Sequence, residues 1–349
     1  MKTSINLLMV LLVMIPLNSI FSQKIIAVHN TDGSSAMYQH IDSAIYYAQD
    51  NAHVYISGGN FTVNDLIINK PLHVIGVGHH PDSSSATGIT FLNGNVKVLN
   101  TASGGSLSGI YLTGNFYYGS DGLNQAVSNY TLQRCSINNM YLSYDGSSYN
   151  SSSLNSNISQ NIIRGSVNGG DARGVILKNN IIVGGYHHLY FFTSAEISNN
   201  IFINGNYNDY ITACTISNNI FLGGMNGNAI PNSSNNNIYH NNIYIGSALS
   251  EGGNGGLIVS NNLQMNAGEI FINQSGITFN YNHNYHLLSN VSSLILGLDG
   301  TEVGIYGGTF PYKDGAVPVN PHIQYKQIGN STLSNGLLPV NIKVNAQEN

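Results

Sequence analysis

Three stretches of this chain, Leu177-Lys178-Asn179-Asn180-Ile181, Ile197-Ser198-Asn199-Asn200-Ile201 and Ile216-Ser217-Asn218-Asn219-Ile220, repeat one step of apolar, polar, Asn (twice) and apolar residues. The step occurs upstream as Ile158-Ser159-Gln160-Asn161-Ile162. Downstream it occurs as Tyr239-His240-Asn241-Asn242-Ile243, Val259-Ser260-Asn261-Asn262-Leu263 and Tyr281-Asn282-His283-Asn284-Tyr285. A less regular copy, Ile137-Asn138-Asn139-Met140, precedes them. From Asn161 to Asn284 the last Asn recurs every 19 to 23 residues, too short for most helical repeats and suited to one β coil. The repeat therefore predicts an all-β solenoid. Asn suits the bend because it tolerates the left-handed conformation better than any residue with a side chain except Gly, and stacked Asn can hydrogen-bond along a column. Alternation on either side of the bend reads as short strands. Counting from the bend Asn, positions one and three are expected to face the core. Position two, which includes Phe202, Phe221 and Tyr244, is expected to form an outward aromatic stripe.

The composition agrees with coils and turns. Of 349 residues, 52 are Asn and 39 Gly, and only 8% are charged, against roughly 25% in a typical soluble domain. Asn and Gly favour turns and disfavour helix interiors. The net charge of -5, with no run of Lys or Arg, argues against nucleic acid or an anionic membrane surface as partner, because both are held by clustered positive charge.

Residues 1–22 read as a secretory signal peptide: Lys2, an apolar stretch from Leu7 to Ile15, then a small-residue region ending at Ser22. The apolar stretch is far short of the roughly 20 residues that span a bilayer, so the mature chain is expected to be exported, secreted or at the cell surface, without membrane insertion. Cys135 and Cys214 are expected at a similar angular position, four coils or about 19 Å apart at strand spacing, which predicts two free, buried thiols.

The chain resembles the right-handed parallel β-helix (pectin-lyase-like) family of secreted bacterial proteins. The repeat carries the resemblance, with Ile41-Asp42-Ser43-Ala44-Ile45-Tyr46-Tyr47-Ala48, which looks like the helix capping the first coil, and the coil-like strings from Val54 to Phe61 and from Ile67 to Gly78. Asp299-Gly300-Thr301-Glu302-Val303-Gly304-Ile305-Tyr306-Gly307-Gly308 resembles the family's closing segment. The resemblance implies a β-helix over 23–298 with an N-terminal cap helix. The segment 299–349 is expected to end in a hairpin, His322–Ile328 with Leu337–Val344, that covers the open edge of the last coil.

The family's catalytic patterns do not carry over. The chain has no Asp-Asp pair; Gly78-His79-His80 is the nearest string to the hydrolase histidine step, and Asn30-Thr31-Asp32-Gly33 reads as a turn. Its 16 carboxylates form no cluster suited to a hard cation, so neither metal nor cofactor is expected. Aligning coils by distance back from the bend Asn gathers Asp171, Arg173, His187, His188, Tyr190, Asp209 and Tyr210 on three adjacent coils. Acids, a guanidinium, imidazoles and aromatic rings are what binding and acid–base work on a sugar chain use. Two functions follow. One is a non-catalytic extracellular polysaccharide-binding or cell-surface protein using the aromatic residues, Phe202, Phe221 and Tyr244 included. The other is a polysaccharide lyase or glycoside hydrolase, with Asp171 and Asp209 as acid–base groups, Arg173 positioning the substrate, and Tyr190 and Tyr210 stacking on sugar rings beside His187 and His188.

Overall fold

In the computed structural model the described residues are 24–120, 123–143, 153–184, 189–204, 208–209, 211–223, 236–246, 258–315, 317 and 319–346, with backbone only for 124 and 208–209. The expected leader, residues 1–22, lies outside them.

The molecule is a parallel β-solenoid. Its first sheet has 12 strands. After an antiparallel start, in which Ile26–His29 pairs with Ser35–Tyr38 and His53–Ile56, the strands stack in parallel from His53–Ile56 to Ile258–Ser260. In the second, 16-stranded sheet, the early strands Gly59–Ile68 and Thr90–Val98 are long. Later coils break that span in two, as in Ser136–Ile137 and Met140–Tyr141. Each such coil therefore has three short strands.

Register partners build the core in columns. Val54, Val74, Leu107, Leu132, Ile158, Leu177, Ile197 and Ile216 follow one another on the first sheet. All are buried in one cluster with Leu66, Val96, Phe116, Met140, Val167 and Leu189 of the second. At ~1.5–3 kcal/mol for each large apolar side chain withdrawn from water, these columns supply the main drive for coiling. The expected helix forms over Ile41–Tyr47, burying Ile41, Ala44 and Ile45 against the same core.

The Asn step makes the corner between the sheets. Arg134, Gln160, Asn179, Asn199, Asn218, Asn241 and Asn261 all have φ between 50° and 57°. The left-handed residue is thus the one before the last Asn. That last Asn turns its side chain inward: Asn161, Asn180, Asn200, Asn219 and Asn242 are completely buried. The main-chain N–H and Nδ2 of Asn161 both donate to Asn180 Oδ1 (2.9 and 3.0 Å), and Nδ2 also donates to Leu132 O at 2.9 Å. The ladder repeats through Asn200, Asn219, Asn242 and Asn262, leaving no amide of the column unpaired.

An inward Asn resets the alternation. Position one of the following strand points out and position two points in, the reverse of the expected phase. Ile163, Ile182, Phe202, Phe221 and Tyr244 lie in the solenoid core, where the Phe202 and Phe221 rings stack at 4.6 Å. Phe202, Phe221 and Tyr244 therefore form no outward stripe. Ile162, Ile181, Ile201, Ile220 and Ile243 instead line the outside, in a second buried cluster.

Register also moves three other expectations. Cys135, not Asn139, occupies the ladder position, since its N–H donates to Asn161 Oδ1. Cys214 stands at a different corner, pairing with Asn237; both thiols are free and buried. The stretch Tyr281–Tyr285 leads into an antiparallel hairpin, Phe271–Asn273 with Asn284–Leu287, outside the parallel sheets.

From Leu296 the chain runs back along the outside of the solenoid as a strap, covering the outer isoleucine column with Val303 and Ile305. Residues of the left-handed column hold it, coil by coil. Asn241 Nδ2 donates to Leu296 O (2.8 Å), Asn199 Nδ2 to Gly304 O (3.2 Å), and Asn179 Nδ2 to Ile305 O and Gly307 O (2.9 and 2.8 Å). Gln160 Nε2 reaches Pro311 O (2.8 Å) and Arg134 Nη1 reaches Val317 O (2.9 Å). Glycine is required at 304, where φ is +92° and a Cβ would lie 2.6 Å from the Ile220 side chain. The terminal hairpin, His322–Ile328 with Val340–Asn345, forms as expected. Its base lies elsewhere: His322 and Ile323 line an apolar groove with Ile25, Tyr55, Ile56 and Val77 of the first coils. The strap has carried the hairpin to the opposite end from the last coil.

Candidate functional site

The third strand of each coil presents one outward column. Its register runs Ile67, Lys97, Tyr117, Tyr141, then the buried Asn168, Tyr190 and the backbone of Asp209, one residue per coil. Sequence dictates this facing: Val96-Lys97-Val98, Phe116-Tyr117-Tyr118 and Met140-Tyr141-Leu142 each place the named residue between two buried ones. The Tyr117 and Tyr141 rings lie parallel, 5.1 Å apart with 14° between planes. Asn115 Nδ2 donates to the Tyr117 hydroxyl at 2.6 Å, fixing its ring. Burial, and then the neighbouring Tyr117, raises the Tyr141 phenol's pKa.

The column starts at an ion pair. Lys97 Nζ lies 2.7 Å from Asp65 Oδ2, and Asn95 Nδ2 donates to Asp65 Oδ1 at 3.0 Å. Partial burial alone would raise the Asp65 pKa; the hydrogen bonds from Lys97 and Asn95, with the Lys97 charge, outweigh it and hold the carboxyl below its ordinary value.

The expected residues divide as follows. Tyr190 and Asp209 are register partners on adjacent strands; the Asp209 side chain, and all of His187, His188 and Tyr210, lie outside the described residues. Asn168, not Asp171, is the partner of Tyr190, because a bulge in Val167–Arg173 moves Asp171 past the column. Asp171 has φ +64° and accepts a hydrogen bond from Thr193 Oγ1 at 2.7 Å. Arg173 is exposed beside Thr193. Buried Phe202, Phe221 and Tyr244 cannot touch a ligand on this surface.

Lys97, Tyr117 and Tyr141 are members of the column that counting back from a bend Asn misses, since the earlier coils carry no such Asn and differ in length. Their signal was the period-2 pattern of apolar, Lys or Tyr, apolar. Among the described residues no three His, Cys, Asp or Glu side chains are grouped to hold a metal ion. Comparison with protein-family models, curated proteins and solved structures finds no match to this chain.

Proposed function

We propose that this β-solenoid is an exported protein that binds an extended polysaccharide along the outward column of its second sheet, without catalysing its cleavage. The observation that carries this reading is the parallel pair Tyr117–Tyr141, aligned with Lys97 on one side and with Tyr190 and Asp209 on the other. Aromatic rings offer an apolar face with a polar rim, which suits the C–H faces and hydroxyls of sugar rings. Strand spacing of ~4.8 Å sets the rings at regular steps along the solenoid axis, a geometry suited to a chain ligand. The pectin-lyase-like resemblance of the sequence supports the same class of ligand, though a fold by itself assigns no function.

The test is titration of the mature protein with neutral and acidic polysaccharides, followed calorimetrically. Binding by at least one, weakened tenfold or more in Tyr117→Ala/Tyr141→Ala with the melting temperature held, is the expected result; no binding by any polysaccharide overturns the reading. A second reading, a glycoside hydrolase, is favoured by the placement of Asp171 two strands before Asp209. Release of reducing ends, abolished by Asp171→Asn, would establish it in place of the first.

A further inference from the structure

A cleft of about 300 Å³ opens on a different side of the molecule, between the segment leading through the Asn284–Leu287 strand and the strap. Three parts of the chain meet there. His80 comes from the turn after the first coils, Tyr281 and His286 from the hairpin, and Tyr306, Tyr312 and Asp314 from the strap. The hairpin and the strap together create the site; the hairpin already brings residues some 200 positions apart into contact, as Tyr281 and His79 hydrogen-bond through the phenol oxygen and Nδ1 at 2.8 Å.

The walls are aromatic and held in place. The His286 and Tyr306 rings stack at 3.7 Å, 13° from parallel, and the Tyr281 ring stands edge-on to His80 at 4.6 Å. The Tyr306 hydroxyl donates to Asp314 Oδ1 at 2.8 Å. Glu302 braces His286, with Oε2 3.1 Å from Nδ1, while Oε1 accepts the Leu287 N–H at 2.6 Å. Both Glu302 oxygens are thus engaged, and Asp314, exposed at the rim, is the lining carboxylate. Among the described residues no Lys or Arg lines the cleft. Nearby Arg164 donates to Leu112 O at 2.6 Å and lies over the Tyr111 ring at 4.3 Å.

We infer that this cleft is a second binding site, which takes one uncharged pyranose ring. Its volume suits a single ring with some water. Aromatic faces, imidazoles, phenols, the amide of Asn280 and one carboxylate supply the mixed apolar and hydrogen-bonding surface that a ring of C–H faces and hydroxyls requires. A wholly apolar ligand would desolvate the Asp314 carboxylate and the Asn280 amide without a hydrogen bond in return. A uronic acid would place its carboxylate beside Asp314, with no Lys or Arg among the described lining residues to offset the repulsion. The site shares no residue with the tyrosine column and stands independently of it.

The experiment is ligand-observed NMR and calorimetry on the full mature chain. The probes are methyl glucoside, methyl galactoside and methyl mannoside, with methyl galacturonoside and choline as charged comparators and a neutral tetrasaccharide to separate a free sugar from a chain end. At least one neutral glycoside should bind in the millimolar range and at least tenfold more tightly than the uronoside or choline. Asp314→Asn should weaken it tenfold or more and Tyr306→Phe severalfold, with melting temperatures unchanged. Tyr141→Ala reads the column separately, so loss of either site is distinguishable from loss of the other. No neutral glycoside bound at 100 mM ligand (roughly −1 kcal/mol or weaker), equal or tighter binding of uronoside or choline, or binding unaffected by both cleft variants would overturn the inference.

Discussion

At the scale of single residues, the corner pairs two roles that one Asn could not fill. Asn199 supplies the left-handed backbone and Asn200 the buried amide ladder. Asn200→Ala would strand the Asn180 main-chain N–H and the Leu177 carbonyl, while Asn180 Nδ2 would keep the Ile158 and Lys178 carbonyls. At ~1–3 kcal/mol per buried unsatisfied group the loss should be about 2–6 kcal/mol. Asn262→Ala, at the half-buried end of the ladder, should cost clearly less, and denaturant titration of both variants measures the difference. A second residue sets a pH limit. Burial, then the charges of His80 and Arg164, push the His79 imidazole from 6.5 down to about 3. Between those values the unfolded chain binds a proton at His79 that the folded chain does not, so this group's contribution makes stability fall as pH is lowered through that window. Above about 6.5 the effect vanishes. Melting temperatures recorded from pH 7.5 to 4 should fall less steeply in His79→Gln than in the parent.

At the scale of elements, the strap and the coils meet through the outward side chains of the left-handed column. Asn179 alone makes two hydrogen bonds to it. Asn179→Gly keeps the backbone conformation and removes those bonds, whereas Asn179→Ala removes them and adds the left-handed strain of about 1–2 kcal/mol. Chemical denaturation should therefore rank parent above Gly and Gly above Ala; equal stabilities of the two variants would contradict the strained corner. The terminal hairpin shows how position can mislead where pattern does not. Its strands were legible from alternation and turn residues, but its place was not, since nothing in 296–323 announces that the chain doubles back along the coils from Asn241 past Arg134.

At the scale of the whole molecule, solenoids are held by nearest-neighbour contacts and open from their ends. Here one segment is bonded to successive coils from Asn241 to Arg134, which ties them into one cooperative body. Hydrogen exchange of the core amides in these coils should follow a single opening free energy in the full chain. In a chain ending at residue 293 it should split into a graded series, with the isoleucine column exposed and the protein prone to aggregate. The fold class was legible because the Asn step is periodic and each copy meets the same corner. Its phase was not, because inward or outward facing of Asn200 depends on a backbone twist at Asn199 that spacing leaves open. Of the column, the pairing of Tyr190 with Asp209 was legible where coil lengths are equal. Asp171 was displaced by a bulge, and Tyr117 and Tyr141 were missed where the Asn markers cease.

The strap also imposes an order in time. Its contacts bridge from 55 residues at Asn241 to 183 at Arg134, so the earliest coils to emerge during synthesis wait longest for their cover. Until residue 305 has left the ribosome, the isoleucines at 162, 181, 201, 220 and 243 have nothing to lie against. A chain built this way finishes folding only after its strap has been made, and whatever escorts it until then must shield that bare apolar row.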